Sequence, residues 1–373
     1  MQHSFHGDRL RLARQIAGLT LEQVAQHIGT TRQFIHQLET GSRTPSDEAI
    51  GALVGLLSVR REFFRTPLMN PVRVDHVHFR RIRSLPTSVT QETLSYATLF
   101  EALVAALEVS VDFPNVIFPE LSVDSPASIE EAAERTRLTL GLDLISPIPN
   151  VTRALENAGA VVAEFDGISD KVDACSIARA RPIIVRNTFK ESRFRQRYDL
   201  AHECAHLVIH QGMVTGDSIS ERQANQFAGA FLIPKAAFLK EFRRSNRLDW
   251  VHIFDLKVRW GVSAQAIVMR AYELMCIDDS GLKRAFIHLS NTGQRSRENL
   301  DDNFELERPE AIANAVELII SSKQKTFTDL AKDVGVSREL LSRLLSFTGY
   351  RPPGEEVEVT GRVLQFARQQ RPS

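Results

Sequence analysis

The chain has 373 residues, 43% of them hydrophobic, which is enough apolar material for two or three cores rather than one. Lys+Arg and Asp+Glu both number 46, so no global charge marks a nucleic-acid or membrane partner, and any DNA affinity has to come from a local patch. Cys175, Cys204 and Cys276 are widely spaced and never form a CxxC pair, which argues against a disulfide scaffold or a thiolate zinc site and fits a reducing compartment. The N-terminus lacks the apolar core of a signal peptide, and no run approaches the roughly 18 apolar residues of a membrane span. The expectation is a soluble cytoplasmic protein without a membrane partner.

Residues 8 to 58 read as short packed helices, with apolar residues at helical spacing in "LRLARQIAGL", "LEQVAQHIG" and "RQFIHQLETG". Thr20 with Gln23 has the pattern of a capping box, and Gly29 and Gly41 sit where helices should stop. The stretch "TLEQVAQHIGTTRQFIHQLETGSRTPS", 20 to 46, resembles the helix-turn-helix of lambda-type repressors, the XRE family, which implies a five-helix-type DNA-binding domain over 1–65. Ala25 allows close helix packing, Gly29 makes the turn, and Val24, Ile35 and Leu38 supply core residues. The second helix would then present Thr31, Arg32, Gln33 and Gln37 to the major groove, arginine suiting guanine and glutamine adenine. The same polar side chains also suit a solvated face. One such module binds weakly, so a homodimer on a two-fold double-stranded operator is expected.

From 66 to 90 the sequence carries three prolines and a charge of +3, four arginines against Asp75, and reads as a linker or docking arm. Helices are expected over 91–110 and 127–141, followed by β-like runs in "GAVVAEFD", "ACSIARA" and "RPIIVRN". Helical patterning dominates afterwards, with a polar loop at 290–308 as a second domain boundary. The tail repeats the first pattern: in "DLAKDVGVSRELLSRLL", Ala331, Gly335, Ser337 and Arg338 align with Ala25, Gly29, Thr31 and Arg32, while Glu339 replaces Gln33. "LKVRWGVSAQAIVMRA" is a fainter third copy. Such helix pairs also serve as plain packing units.

Between these lies "HECAHLVIH", 202 to 210. Spacing i, i+4 puts His202 and His206 on one helix face about 6 Å apart along the axis, within reach of one ion, whereas His210 lies about 12 Å from His202 and is rejected as a ligand. A third ligand has to come from elsewhere. In "SISERQANQFAGAFLIP", 218 to 234, Ala224, Phe227, Ala228 and Phe231 form an apolar stripe, with Glu221 and Asn225 on the side of Ala224 and Ala228. On spacing alone Glu221 is either a ligand or the acid of a capping box begun by Ser218. A buried helix with ordinary polar histidines is the plain alternative to a metal site.

"RQRYDLAHECAHLVIH", "SERQANQFAGAFLIP" and "LKVRWGVSAQAIVMRAYEL", in that order and preceded by "RPIIVRN", resemble the ImmA/IrrE metallopeptidases over roughly 150 to 280. The resemblance implies a zincin-like domain over 91–290 in which His202, His206 and Glu221 hold Zn2+, Glu203 is the general base and Asn225 stands behind the ligands. Three protein ligands leave an open position for water. Cys204 departs from the aliphatic residue usual there; it is either an oxidation-sensitive thiol or a small buried filler. Tyr198 and His210 are considered as oxyanion donors, and "PIIVRN", if an edge strand, would let an extended substrate add to the sheet. The fold class expected is mostly α with a small sheet, α+β, ending in a helical domain over 291–373.

The resulting expectation is a DNA-binding transcriptional regulator carrying a zinc endopeptidase. Resemblance implies a helix-turn-helix repressor as substrate, cut in stress response or mobile-element control; a toxin-system partner and the chain's own 66–90 arm are further candidates. The alternative is a non-catalytic repressor or antitoxin whose zinc domain is a sensor or dimerisation scaffold. Glu203 favours the enzyme, because a scaffold has no use for a base.

Overall fold

The computed structural model describes residues 4–79, 87–165, 174–187, 192–213, 215–245, 247–295 and 297–350. Among them are sixteen α-helices and one four-stranded sheet, an α+β fold. No described helix is long and apolar enough to cross a membrane.

The N-terminal unit is built from α1 (Gly7–Ile16), α2 (Leu21–His27), α3 (Arg32–Glu39) and α4 (Asp47–Leu57). Thr20 and Gln23 close the expected capping box on α2, and Gly29 takes φ +67° between α2 and α3, a conformation that costs glycine little. Gly7 is required for a different reason: a Cβ there would stand 2.0 Å from the Leu38 carbonyl oxygen, so α1 and α3 meet backbone to backbone. Up to residue 65 the fifth helical element is a 3-10 turn, Arg61–Arg65; the next α-helix, the long α5 (Thr87–Glu108), packs on α1, with Tyr96 donating its hydroxyl to the Ile16 carbonyl.

Strands β1 (Val77–Phe79), β2 (Val161–Phe165), β3 (Ala174–Ile177) and β4 (Ile183–Asn187) lie in the order β1-β3-β4-β2. The β2–β4 pair is parallel and the other two are antiparallel. One sequence expectation is corrected here. "PIIVRN" forms β4, which is central, flanked by β3 and β2, and so offers no edge to a substrate. Of its two readings, linker or docking arm, the 66–90 arm takes the docked one: Val77–Phe79 pairs with β3, Val72 is buried, and the Arg179 guanidinium holds Asn70, His76 and Glu101. Its residues 80–86 lie outside the described residues. Strand β1 is only three residues, "VHF", directly after a 3-10 turn at Val74–His76, too short for a readable alternation.

The sheet separates two cores, because alternate strand residues face opposite ways. Val161, Ala163, Phe165, Cys175, Ile177, Ile183 and Val185 face a core shared with α1–α5 and with the last helices, α14 (Ala311–Ser321), α15 (Phe327–Val334) and α16 (Arg338–Ser346). Val162 and Ile184 face the second core, formed with α6 (Pro126–Thr139), α7 (Val151–Asn157), α8 (Arg193–Ile209), α9 (Ser218–Leu232) and α10 (Lys235–Glu241). The faint third repeat copy forms α11 (Trp250–Trp260) and α12 (Ala264–Glu273), followed by α13 (Asp279–Asn291).

The tail copy docks on the first copy's side of the molecule. Ser337 N–H donates to the Ser58 carbonyl, Arg60 N–H to that of Gly335, and Val59 bridges Val336. The polar stretch 290–308 wraps the second core instead of hanging as a loop. Glu298 and Asp301 both take the fully buried Lys257 ammonium, and Glu307 takes Arg197 together with the Val151 and Thr152 amides at the start of α7. Buried charges persist only when paired in this way.

Candidate metal centre and nucleic-acid interface

Helix α8 brings His202, Glu203 and His206 against β3, and α9 crosses it with Glu221 facing the histidines. Asp217, not Ser218, caps α9 by accepting from the Ile219 and Ser220 amides, which leaves the Glu221 carboxylate turned to the imidazoles. His202 Nε2 and His206 Nε2 stand 3.2 Å apart. Glu221 Oε2 lies 3.5 Å from the first and Oε1 3.8 Å from the second, and all three donor groups lie within 4.8 Å of one another. Two nitrogens at zinc bond length on one tetrahedral ion stand about 3.3 Å apart, so the donor set fits a zinc-sized cation.

The far side of each imidazole is also engaged. His202 Nδ1 lies 3.1 Å from Asn225 Oδ1; His206 Nδ1 lies 2.9 Å from His210 Nδ1, and His210 Nε2 lies 3.0 Å from Gln223 Oε1. One proton assignment satisfies the whole chain: Nδ1–H of His202 donates to Asn225, Nδ1–H of His206 to His210, and Nε2–H of His210 to Gln223. Both inward Nε2 lone pairs are then left for a cation, the arrangement by which metal-binding histidines are oriented. His210 thus stands outside the group of ligand atoms and behind one of its members. Burial keeps its ring below the usual histidine pKa, hence neutral, as an acceptor has to be.

Glu203 is 2% exposed and accepts a 2.6 Å hydrogen bond from the Ser176 hydroxyl of β3. Burial raises its carboxyl to about 7, against the lowering effects of His202 and Ser176. Asn225 also receives, at its carbonyl, the Tyr198 hydroxyl at 2.8 Å, so Tyr198 ties α8 to α9. Cys204 is fully buried in the second core and burial pushes its thiol pKa up; of the two readings offered for it, the structure favours the filler.

Sequence reasoning missed Ser176, Gln223 and His78. His78, on β1, stacks on His206 with centroids 5.0 Å apart and planes within 8°, and its Nδ1 shares a 2.8 Å hydrogen bond with Thr215. Burial lowers its pKa to about 4, so it is neutral at ordinary pH. No local pattern links position 78 to 206; the sheet pairing does.

In the helix-turn-helix, Arg32 and Gln33 are exposed at the start of α3. Thr31 is exposed too, but its hydroxyl accepts from the Phe34 amide as the helix cap, and Gln37 is half-buried. His36, also exposed on this helix, was not singled out by the sequence.

Residues 155–272 match the IrrE N-terminal-like domain family (Peptidase_M78), and residues 7–62 match a helix-turn-helix domain family. The chain carries an IrrE N-terminal-like domain. It follows a helix-turn-helix domain, the order expected from the motifs. A solved Mycobacterium tuberculosis transcriptional regulator is similar at 15% identity and a TM-score of 0.29, over 47% of this chain and 51% of that one; the chain spans about half its length. No curated protein matches.

Proposed function

We propose that the chain is a cytoplasmic DNA-binding transcriptional regulator whose IrrE-like domain is a zinc-dependent endopeptidase acting on a helix-turn-helix repressor. The observation that carries this reading is the convergence of His202, His206 and Glu221 beside a buried Glu203 held by Ser176. His202, His206 and Glu221 are the ligands in this proposal. Zinc bound there would supply Lewis acidity toward a peptide carbonyl and a more acidic water. Glu203 Oε1 or Oε2 takes the proton of the attacking water and returns it to the leaving amine nitrogen, so base and acid are one carboxyl whose burial favours its protonated form. Asn225 and His210 hold the two imidazoles in the tautomer this requires, and Ser176 keeps the Glu203 side chain aimed. For DNA, Arg32 and Gln33 are the proposed base readers, Thr31 and Gln37 support them, and a homodimer reads a two-fold operator.

The decisive experiment is zinc content by elemental analysis of wild type and Glu221→Ala, with cleavage of co-expressed helix-turn-helix proteins followed in the same samples. One zinc per chain, lost in the variant, together with cleavage abolished by Glu203→Gln, is the expected result. Zinc without cleavage of any partner or of the chain's own arm would instead favour the sensor or scaffold reading. One observation gives that reading weight: β1 and His78 already lie against the site.

A further inference from the structure

The three strands β2, β3 and β4 all fall inside the segment that matches the IrrE-like family, whereas β1 comes from residue 77 onward, far outside it. The family-matched sheet therefore ends at β3, and its outer edge is filled by a strand from the arm between the helix-turn-helix domain and α5. That edge is the one beside the candidate metal centre. Ser176, in the middle of β3, bonds Glu203 on one side of the chain and pairs with His78 across the ladder.

An edge strand presents a row of main-chain donors and acceptors that an extended peptide can take up whatever its sequence. We propose that Val77–Phe79 is a resident occupant of the outer edge of β3, holding it until an extended peptide, antiparallel to β3 past His202, Glu203 and His206, displaces it. That the incoming peptide is a substrate rests on the peptidase reading of the site; the inference adds how access to that edge is controlled.

The resident strand has the geometry of an occupant. It runs antiparallel to β3 with register Val77↔Ile177, His78↔Ser176 and Phe79↔Cys175. Val77 points into the core on the far face, while His78 points to the metal side and covers the His206 ring. An incoming peptide in this register would place an apolar, preferably β-branched, residue at the Val77 position and present the next residue to the metal centre. Three paired residues make a short strand. Upstream it is held by the half-buried Arg179, whose guanidinium bonds the Asn70 side chain and carbonyl, the His76 ring and Glu101, together with the Val72 amide on Thr98 and the Ala178 amide on the His76 carbonyl. Such a strand can be exchanged without unfolding the domain behind it.

The test uses the full chain in the Glu203→Gln background, so that binding is read without turnover, and a fluorescein-labelled peptide copying residues 74–79. Arg179→Ala should tighten peptide binding by about tenfold or more, because affinity scales with the fraction of molecules whose seat is open. The pair Val77→Cys with Ile177→Cys, oxidised to staple β1 to β3, should lose binding and regain it on adding reductant. Circular dichroism and zinc content, equal across variants, certify the fold; should the stapled pair fail to fold, Arg179→Ala alone decides. Equal peptide affinity in wild type and Arg179→Ala, or in stapled and reduced protein, would overturn the proposal. So would cleavage of the wild-type chain within 74–79, since the strand would then be a substrate and not an occupant. Binding that follows the arm, without cleavage of any protein by the Glu203-intact chain, keeps this proposal and removes the peptidase reading. Cleavage in trans that survives the staple does the reverse.

Discussion

His210 shows how far spacing carries at the level of a single residue. Helical rise sets it about 12 Å along the axis from His202, which keeps it from sharing an ion with that residue, and distance along a helix says nothing more. Only the packed structure shows its Nδ1 against His206 and its Nε2 against Gln223. A partner of this kind fixes a ligand's tautomer and typically contributes 10- to 100-fold in metal affinity, so His210→Ala should lower zinc affinity by about that factor. Competition with a chromogenic chelator measures it, and an unchanged affinity would mean that His210 merely fills space. His202 and His206 could be paired because i, i+4 spacing is itself a statement about geometry, whereas Glu221 and Glu203 were given their roles only through the family resemblance. Ser176, His78 and Gln223 were not legible, since each reaches the site through a tertiary contact.

Helices were readable almost throughout, from capping boxes, apolar periodicity and glycine stops, whereas the sheet order was not. Both β3 and β4 are short and buried on both faces, so nothing in "ACSIARA" or "PIIVRN" tells centre from edge. The polar stretch 290–308 misled for the opposite reason: a run of charges normally means solvent, yet here Glu298, Asp301 and Glu307 are buried against Lys257 and Arg197. A related junction gives a pH-dependent prediction. Glu156 on α7 accepts from the Glu310 and Ala311 amides at the start of α14, and burial raises its carboxyl from 4.5 to about 7. Because the folded pKa lies above the unfolded one, its stabilising contribution is complete below the unfolded value and is lost as pH rises through about 7. Glu156→Gln should therefore gain stability over wild type at pH 8 by about 1–3 kcal/mol, with the gain shrinking toward pH 5. Thermal melts at the two pH values would read it, and a gain independent of pH would show that the carboxyl does not titrate on unfolding as described.

At the scale of the whole molecule, two helix-turn-helix pairs lie on one core, and they predict different behaviour on DNA. Arg32 is exposed at the head of α3 and free to reach a base edge, so Arg32→Ala should weaken binding to an operator selected from random duplexes by about 1–3 kcal/mol. In the tail copy the aligned Arg338 bonds Thr328 and lies over the Phe327 ring, and Glu339 beside it would face phosphate with the wrong sign. Arg338→Ala should leave operator affinity within error, and anisotropy titrations at one fixed salt concentration compare the two; a matching loss would give the tail a share in reading DNA. The repeat was visible in sequence, with a packing role among its readings; that it packs against α5 was not, because the same apolar positions serve both roles.

The hydrogen bond from Ser337 to Ser58 joins residues separated by nearly three quarters of the chain. On a ribosome, where segments emerge in order, the DNA-reading end appears first, but its supporting surface arrives only after the IrrE-like domain has been made. Synthesis order thus works as a completeness check. A chain interrupted anywhere before α15 would display the helix-turn-helix domain without this supporting surface, so the fully supported domain would belong to molecules that also carry the candidate metal centre.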